Sequence, residues 1–295
     1  MIVLYLQARM ASNRCPNKVA MSLAGKPAFV RCAERALEYI NPDRIVLGTT
    51  LQANDDPLVF LAKHEGYEVF RDQSDHARRV LKFTKGLGED DIFVEIGCDS
   101  PLAIAFHLPM IIELMQKGWE RYWHYSEYGT FRVAVSEFFG YRPRVHIAMC
   151  KERDKTAIYD TTDKHVWLEA PRDGSIICQF DDPIYSEPWV YDDLTMDFPS
   201  QALIIRQIYQ DLYMGKPLNH HDIWDYLHAR PFMLSQLQSG HQVANQPMHP
   251  WGQKGLYEQI RNTVDYIEVL VKEDASYEII GGSDGKETTK ERKRK

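Results

Sequence analysis

The chain opens on an apolar, partly β-branched run, Ile2 to Leu6, that stops abruptly in the polar stretch Gln7 to Lys18. A short apolar run ending in a polar loop is how a buried parallel strand delivers a loop to the edge of a sheet. From Pro27 to Tyr39 apolar residues recur at helical spacing (Phe29, Val30, Ala33, Ala36, Leu37, then Ile40), and Arg44 to Thr50 reads as a second buried strand. That completes a βαβ unit. Asp55 and Asp56 ahead of Pro57 predict a helix start capped by a carboxylate, with Gly66 as its stop. A third strand is expected over Tyr67 to Arg71, a helix from about Asp75 to Gly86, and a fourth strand over Asp91 to Gly97. The fourth strand runs into Cys98, Asp99, Ser100, Pro101 and Leu102, with a helix expected from near Ala103.

Beyond this point the pattern weakens. Arg121 to Met149 is rich in aromatic and β-branched residues without a helical period and reads as strands and loops. Pro199 opens a helix that buries Ala202, Leu203, Ile205, Ile208 and Leu212, and Asn219 to Met233 reads as a capped helix ended before Pro231. Ser235 to Pro250 has the composition of a linker, and Gly255 to Lys272 has helical spacing. Strands alternating with helices predict a doubly wound α/β domain with a mixed, mainly parallel sheet over residues 1–234. A linker and helical extension would follow over 235–272, then a disordered tail over 273–295.

Composition narrows the function. With 295 residues, 44% of them hydrophobic, the chain can bury a large core, and its formal charge of −7 excludes a broad nucleic-acid-binding face. The cations of the first loop, Arg9, Arg14 and Lys18, therefore form a local site. Ligands of open α/β sheets lie outside the carboxyl ends of the strands, where this loop emerges. Arg supplies a rigid fork of donors and Lys a mobile point charge, a combination suited to a triphosphate. The small residues Ala8, Ala11 and Ser12 let main-chain amides approach, and Pro16 stiffens the loop. Asp99, at the end of a strand and followed by Pro101, is placed to hold Mg²⁺ against phosphates or to cap the next helix. Asp197 ends a second such stretch. Five dispersed cysteines without zinc spacing predict reduced thiols and a cytoplasmic protein. No apolar run reaches the length of a membrane span.

The stretch QARMASNRCPNKVAMSLAGKP resembles the amino-terminal signature of the nucleotidyltransferases that activate sugar acids with CTP. The likeness is to the spore-coat polysaccharide cytidylyltransferase-like branch in particular, related to acylneuraminate and CMP-Kdo synthetases. Gln7, Ala8, Arg9, Ser12, Arg14, Pro16, Lys18, Gly25, Lys26 and Pro27 match its pattern, while Ala11 and Asn17 stand where the branch usually has Gly. Asp99, Pro101 and Leu102 match its strand-ending G-D-x-P-L, with Cys98 in place of Gly, and Leu194, Thr195, Asp197 and Pro199 match its L-T-x-D-x-P. His165 and Val166 match a further segment.

The resemblance implies a nucleotide-diphospho-sugar transferase-like (GT-A-like) fold, CTP and a small-molecule acceptor as substrates, and one Mg²⁺ shared by Asp99 and Asp197. It also implies nucleotide contacts from Gln7, Ala8, Ser12 and the loop cations. Arg71, by its place at a strand end, is a base or ribose candidate, and His165 an acceptor-side one. A homodimer is in keeping with the related enzymes. Two rivals stand beside this reading: a metal-dependent glycosyltransferase of related architecture, for which Asp192 and Asp193 offer an acidic pair, and a catalytically silent nucleotide-binding subunit.

Overall fold

The computed structural model describes residues 1–73, 75–124, 138–148, 174–181, 194–243 and 265–283. The first half of the chain forms β1 (Ile2–Gln7), β2 (Ser22–Leu23), β3 (Lys26–Pro27), α1 (Ala28–Leu37), β4 (Arg44–Thr49), α2 (Asp56–His64), β5 (Glu68–Arg71), α3 (His76–Thr84), β6 (Ile92–Gly97) and α4 (Leu108–Gln116). The second half contributes β7 (Arg121–His124), β8 (Phe138–Tyr141), β9 (Ser175–Phe180), α5 (Pro199–Leu212), α6 (His220–His228), α7 (Pro231–Val243), β10 (Tyr266–Val271) and β11 (Tyr277–Gly282). Nine strands make one sheet in the order β11-β10-β9-β7-β8-β6-β1-β4-β5. Only the pairings of β8 with its neighbours and of β11 with β10 are antiparallel. The mixed, mainly parallel sheet expected from the sequence is present.

β1 shows why the sheet is covered on both sides. Its side chains alternate, Leu4 and Leu6 entering a large core with α1, α4 and α5, Val3 and Tyr5 entering a smaller one with Val80 and Phe83 of α3 and Phe93 of β6. Each such fully buried aliphatic side chain contributes about 1.5–3 kcal/mol relative to an exposed one. Tyr5 lies flat across β4: a Cβ on Gly48 would come within 1.8 Å of its hydroxyl, so only glycine fits at that point of the strand.

Four expectations are corrected. α4 begins at Leu108 rather than near Ala103: Pro109 in its first turn starts the helix there, and the carbonyls of residues 101–103 accept bonds from side chains of other elements. Part of the expected linker is helical: Pro231 does not only follow the end of α6 but opens α7, at the first helical position where its missing N–H costs nothing. Residues 266–271 of the expected helix form strand β10, in which Ile267, Val269 and Val271 are buried. Their apolar positions satisfy both periods, and pairing with β9 decides for the strand. Residues 277–282 of the expected disordered tail pair with β10 as β11. Cys15, Cys32, Cys98 and Cys178 are free thiols. Among the described residues no helix is long and apolar enough to cross a membrane.

Candidate active site

The sheet order reverses between β1 and β6. From β1 the chain proceeds to β4 and β5 on one side, whereas β6 lies on the other, so the crevice above their carboxyl ends is a topological switch point. Gln7 is in register with Gly97, and Cys98 N donates to Gln7 O at 3.0 Å, so the two loops leave the sheet side by side.

The first loop folds on itself. Met10 O accepts from both Ser12 N (2.9 Å) and Asn17 N (3.0 Å), and Cys15 N donates to Ser12 Oγ at 3.3 Å. Asn17 sits at φ 62°, ψ 10°, in the left-handed region that Asn tolerates better than most residues. The loop is tied to the neighbouring strand by Asp55, whose Oδ1 accepts from Met10 N at 2.8 Å while Oδ2 accepts from Thr49 Oγ1, Thr50 N and Thr50 Oγ1. Asp55 was expected to cap α2. Its side chain makes no capping bond, because these four donors occupy the carboxylate instead. Burial opposes its charge, but the hydrogen bonds outweigh burial and hold its pKa below the usual carboxylate value.

Four charges, those of Arg14, Lys18, Asp99 and Asp197, meet above the switch point. Lys18 Nζ donates to Asp99 Oδ2 at 2.6 Å and to Asp197 Oδ1 at 2.8 Å, joining groups 81 and 179 residues away in sequence. The Lys18 side chain is only 8% exposed, while those of Asp99 and Asp197 are 29% and 25% exposed and open toward solvent. Arg14 Nη2 reaches Asp197 Oδ1 at 2.8 Å and its guanidinium lies over the Phe198 ring at 5.4 Å. Burial works against the Lys18 ammonium, but the charges of Asp99 and Asp197 and their hydrogen bonds prevail and raise its pKa above the ordinary lysine value. The Asp99 carboxyl is likewise lowered, burial being outweighed by Lys18. The second carboxylate is placed by Gln201, whose Oε1 accepts from Asp197 N (3.1 Å) and Phe198 N (3.0 Å) at the start of α5. Met196 N donates to Asp99 O at 2.8 Å, lashing the two carboxylate-bearing turns together.

The remaining predicted residues are placed unequally. Arg9 is exposed on the same loop, Ser12 and Gln7 are half-buried and Ala8 is buried. Arg71 ends β5, but its Nε and Nη2 donate to the carbonyls of Thr50 and Gln52, at 2.7 and 3.0 Å, and its Nη1 pairs with Asp56 at 2.8 Å. It braces the loop after β4. His165 and the Asp192–Asp193 pair lie outside the described residues. Asp55 and Gln201 were missed as site-forming residues. The Thr49-Thr50 pair at a strand end, followed by an aspartate, carried a signal for Asp55; the place of Gln201 at the third position of the helix that Pro199 opens, the glutamine place of a capping box, carried one for Gln201.

The matched segment of the sequence contains the first loop and Asp99. Residues 3–137 match the cytidylyltransferase family. The 3-deoxy-manno-octulosonate cytidylyltransferase of Herminiimonas arsenicoxydans is 33% identical over 103 residues, and that of Yersinia pseudotuberculosis 35% identical over 103 residues. In both cases the aligned segment is 33% of this chain and 39% of the relative's length. Among solved structures, a cytidylyltransferase from Leptospira borgpetersenii superposes with a TM-score of 0.60 at 19% identity, covering 84% of this chain and 98% of that one. The 4-diphosphocytidyl-2C-methyl-D-erythritol synthase of Anaerococcus prevotii gives a TM-score of 0.50 at 10% identity over 71% of this chain and 96% of that one. At these identities the likeness is one of fold, the nucleotide-diphospho-sugar transferase fold, and it extends well beyond residue 137.

Proposed function

We propose that this chain is a cytidylyltransferase that moves CMP from CTP to a hydroxyl of a sugar acid and releases pyrophosphate. The observation that carries the reading is the meeting of Lys18, Arg14, Asp99 and Asp197 at the switch-point crevice. The 3-deoxy-manno-octulosonate named in the relatives supports a sugar acid as acceptor.

The acceptor oxygen bonds to the α-phosphorus as the bond from that phosphorus to the departing pyrophosphate breaks, and the hydroxyl proton passes to solvent. The chain supplies positioning and charge rather than a covalent partner. Arg14, Lys18 and the exposed Arg9 neutralise the triphosphate and then the leaving group. Lys18, on a flexible four-carbon stem, can turn from the carboxylates to the phosphates. Gln7, Ala8 and Ser12 border the nucleotide. Asp99 and Asp197 converge on a single cationic point, which here is the ammonium of Lys18. Two carboxylates with phosphate and water oxygens are a donor set suited to Mg²⁺, and these two would hold it. When bound, that ion supplies Lewis-acid stabilisation of charge on the phosphoryl oxygens.

The test is pyrophosphate release from each of the four nucleoside triphosphates with Mg²⁺, across a panel of ulosonic and nonulosonic acids. Release that is specific to CTP and dependent on the acceptor is expected. Asp99→Asn is expected to lower turnover about 100-fold or more while CTP still binds. Full activity in that variant would sink the role given to Asp99, and no release from CTP with any acid would sink the reaction.

A further inference from the structure

The turn that carries Asp99 is held by a set of buried side chains that the chemistry above does not use. After Asp99, three consecutive carbonyls each accept a hydrogen bond from a different helix. Tyr209 Oη of α5 donates to Pro101 O at 2.7 Å, His220 Nε2 of α6 bonds Leu102 O at 2.8 Å, and Arg35 Nε of α1 donates to Ala103 O at 2.9 Å. The three side chains belong to residues that are 1%, 7% and 4% exposed. A carbonyl can only accept, so Nε2 of His220 carries the proton. Arg35 Nη2 lies 3.3 Å from Nδ1 and 3.4 Å from Nε2, and with the Nε2 proton donated to Leu102 O, Nδ1 is the ring nitrogen left to accept from it. Arg35 also donates through Nη1 to Leu218 O, just ahead of α6. Its guanidinium is thus spent on carbonyls and an imidazole rather than on a carboxylate.

We propose that Tyr209, His220 and Arg35 are positioning residues that fix the Asp99 carboxylate at its working distance from Asp197; the assignment rests on the cytidylyltransferase reading. Two features separate this role from plain packing. Burying a guanidinium, an imidazole and a phenol that bond main-chain carbonyls and one another is an expensive way to fill a core, where apolar side chains of similar volume do as well. Also, α5 acts at both ends of the pair. Its first turn places Asp197 through Gln201, the residue before Asp197 bonds Asp99 O, and Tyr209 in its third turn bonds Pro101 O, two residues past Asp99. The same helix that presents one carboxylate therefore sets the turn that presents the other. Pro109 in the first turn of α4 starts that helix at Leu108, and the three bonds hold the residues after Asp99 on a braced turn ahead of it.

The experiment compares the full chain with Tyr209→Phe, His220→Leu and His220→Gln by two readouts. The first is hydrogen–deuterium exchange of the peptide spanning residues 97–106, with residues 44–64 as an internal reference. The second is steady-state pyrophosphate release from CTP. Exchange at 97–106 is expected to quicken about tenfold in Tyr209→Phe and His220→Leu with the reference unchanged. Turnover is expected to fall by about 10-fold in Tyr209→Phe and about 100-fold in His220→Leu, with KM for CTP held within about twofold. Gln can donate to Leu102 O, so His220→Gln restores both readouts. If exchange at 97–106 is unchanged, or rises equally in the reference peptide, the positioning role is overturned. It is likewise overturned if KM rises while kcat is kept. A wild-type protein that releases no pyrophosphate refutes the cytidylyltransferase reading alone, and the exchange data still decide the positioning. Tyr209→Phe removes a single oxygen and serves if His220→Leu does not fold.

Discussion

Replacing Lys18 by Met tests the charge cluster and the proposed metal together. At contact distances of 2.6 and 2.8 Å and an effective dielectric of about 20, each attraction amounts to about 6 kcal/mol before desolvation. Much of that is cancelled by drying the ammonium, and the variant gains an uncompensated repulsion between Asp99 and Asp197. Breaking a buried ion pair by removing one partner costs about 3–5 kcal/mol, and the quarter-exposed carboxylates recover part of it from water, leaving about 2–3 kcal/mol. For a chain of 295 residues that is a fall in Tm of about 3–5 °C, measured by calorimetry at pH 7.5 in chelator. The gap has a defined pH window. Asp99 has its folded pKa lowered by Lys18, so the stability it contributes is present above the unfolded pKa near 4 and is lost as pH falls through the folded value. The two proteins should begin to converge as pH falls below about 4 and meet once it has passed the lowered folded value of Asp99. Adding Mg²⁺ without nucleotide should raise the Tm of Lys18→Met and leave the wild type unmoved, because in the wild type the ammonium already occupies the point where the carboxylates converge. A variant as stable as the wild type at pH 7.5, or equal shifts with Mg²⁺ in both, would refute the reasoning.

Three further outcomes follow from the same geometry. Asp55→Asn removes the carboxylate that gathers Met10 N and the two threonines, so the phosphate loop loosens; KM for CTP should rise about tenfold and stability fall by about 1–3 kcal/mol, read by kinetics and urea melts. His220 has its pKa pushed down to about 3, first by burial and then by Arg35. The unfolded chain therefore binds that proton at higher pH, and the stability present above about pH 6.5 is lost at roughly 1 kcal/mol per pH unit on acidification; His220→Gln should remove that slope. Gly48→Ala places a methyl against the Tyr5 hydroxyl, and should cost about 3 kcal/mol in a thermal melt, much of it recovered when Tyr5 is shortened to Leu.

What the sequence revealed followed the strength of its periodicity. β1, α1, β4 and β6 are long, strongly patterned and bounded by turn residues, and each lies within a residue or two of its expected position. The loop cations and Asp99 stood out as candidates because they lie on the segments that leave the carboxyl ends of β1 and β6, where an α/β sheet puts its ligands, and Asp197 because of its place just ahead of Pro199 and α5. Local patterns carried less about contacts made at long range. The Thr49-Thr50 pair signalled partners for Asp55 close by, but its latch on Met10, 45 residues earlier, left no local trace. Arg71 looked like a ligand contact from its strand-end position, but the folded chain spends its donors on the 50–52 loop and Asp56. β10 was misread because Ile267, Leu270 and Val271 fit a helix as well as a strand, and the partner that decides, β9, is about ninety residues earlier.

The silent-subunit alternative rested on Ala11, Asn17 and Cys98, which stand where the related branch usually has Gly. The backbone bears on each of these three positions. Only Asn17 of the three adopts a positive φ, at 62°, and Asn is the non-glycine residue that enters this region at least cost. Ala11 and Cys98 make no demand for glycine's freedom, and Cys98 is fully buried beside β1. The loop thus keeps the shape that brings Lys18 and Arg14 to the carboxylates. As a structural device that cluster is a poor one: an ammonium desolvated between two carboxylates adds less stability than apolar side chains filling the same volume. A subunit that only assembled would gain nothing from holding it above the switch point, whereas one that bound CTP without turning it over would use the same cations, so pyrophosphate release is the readout that separates the two. Under the proposed cytidylyltransferase reading those charges neutralise the triphosphate and the departing pyrophosphate, and the bonds from Tyr209, His220 and Arg35 to the turn after Asp99 hold one of the two carboxylates in place.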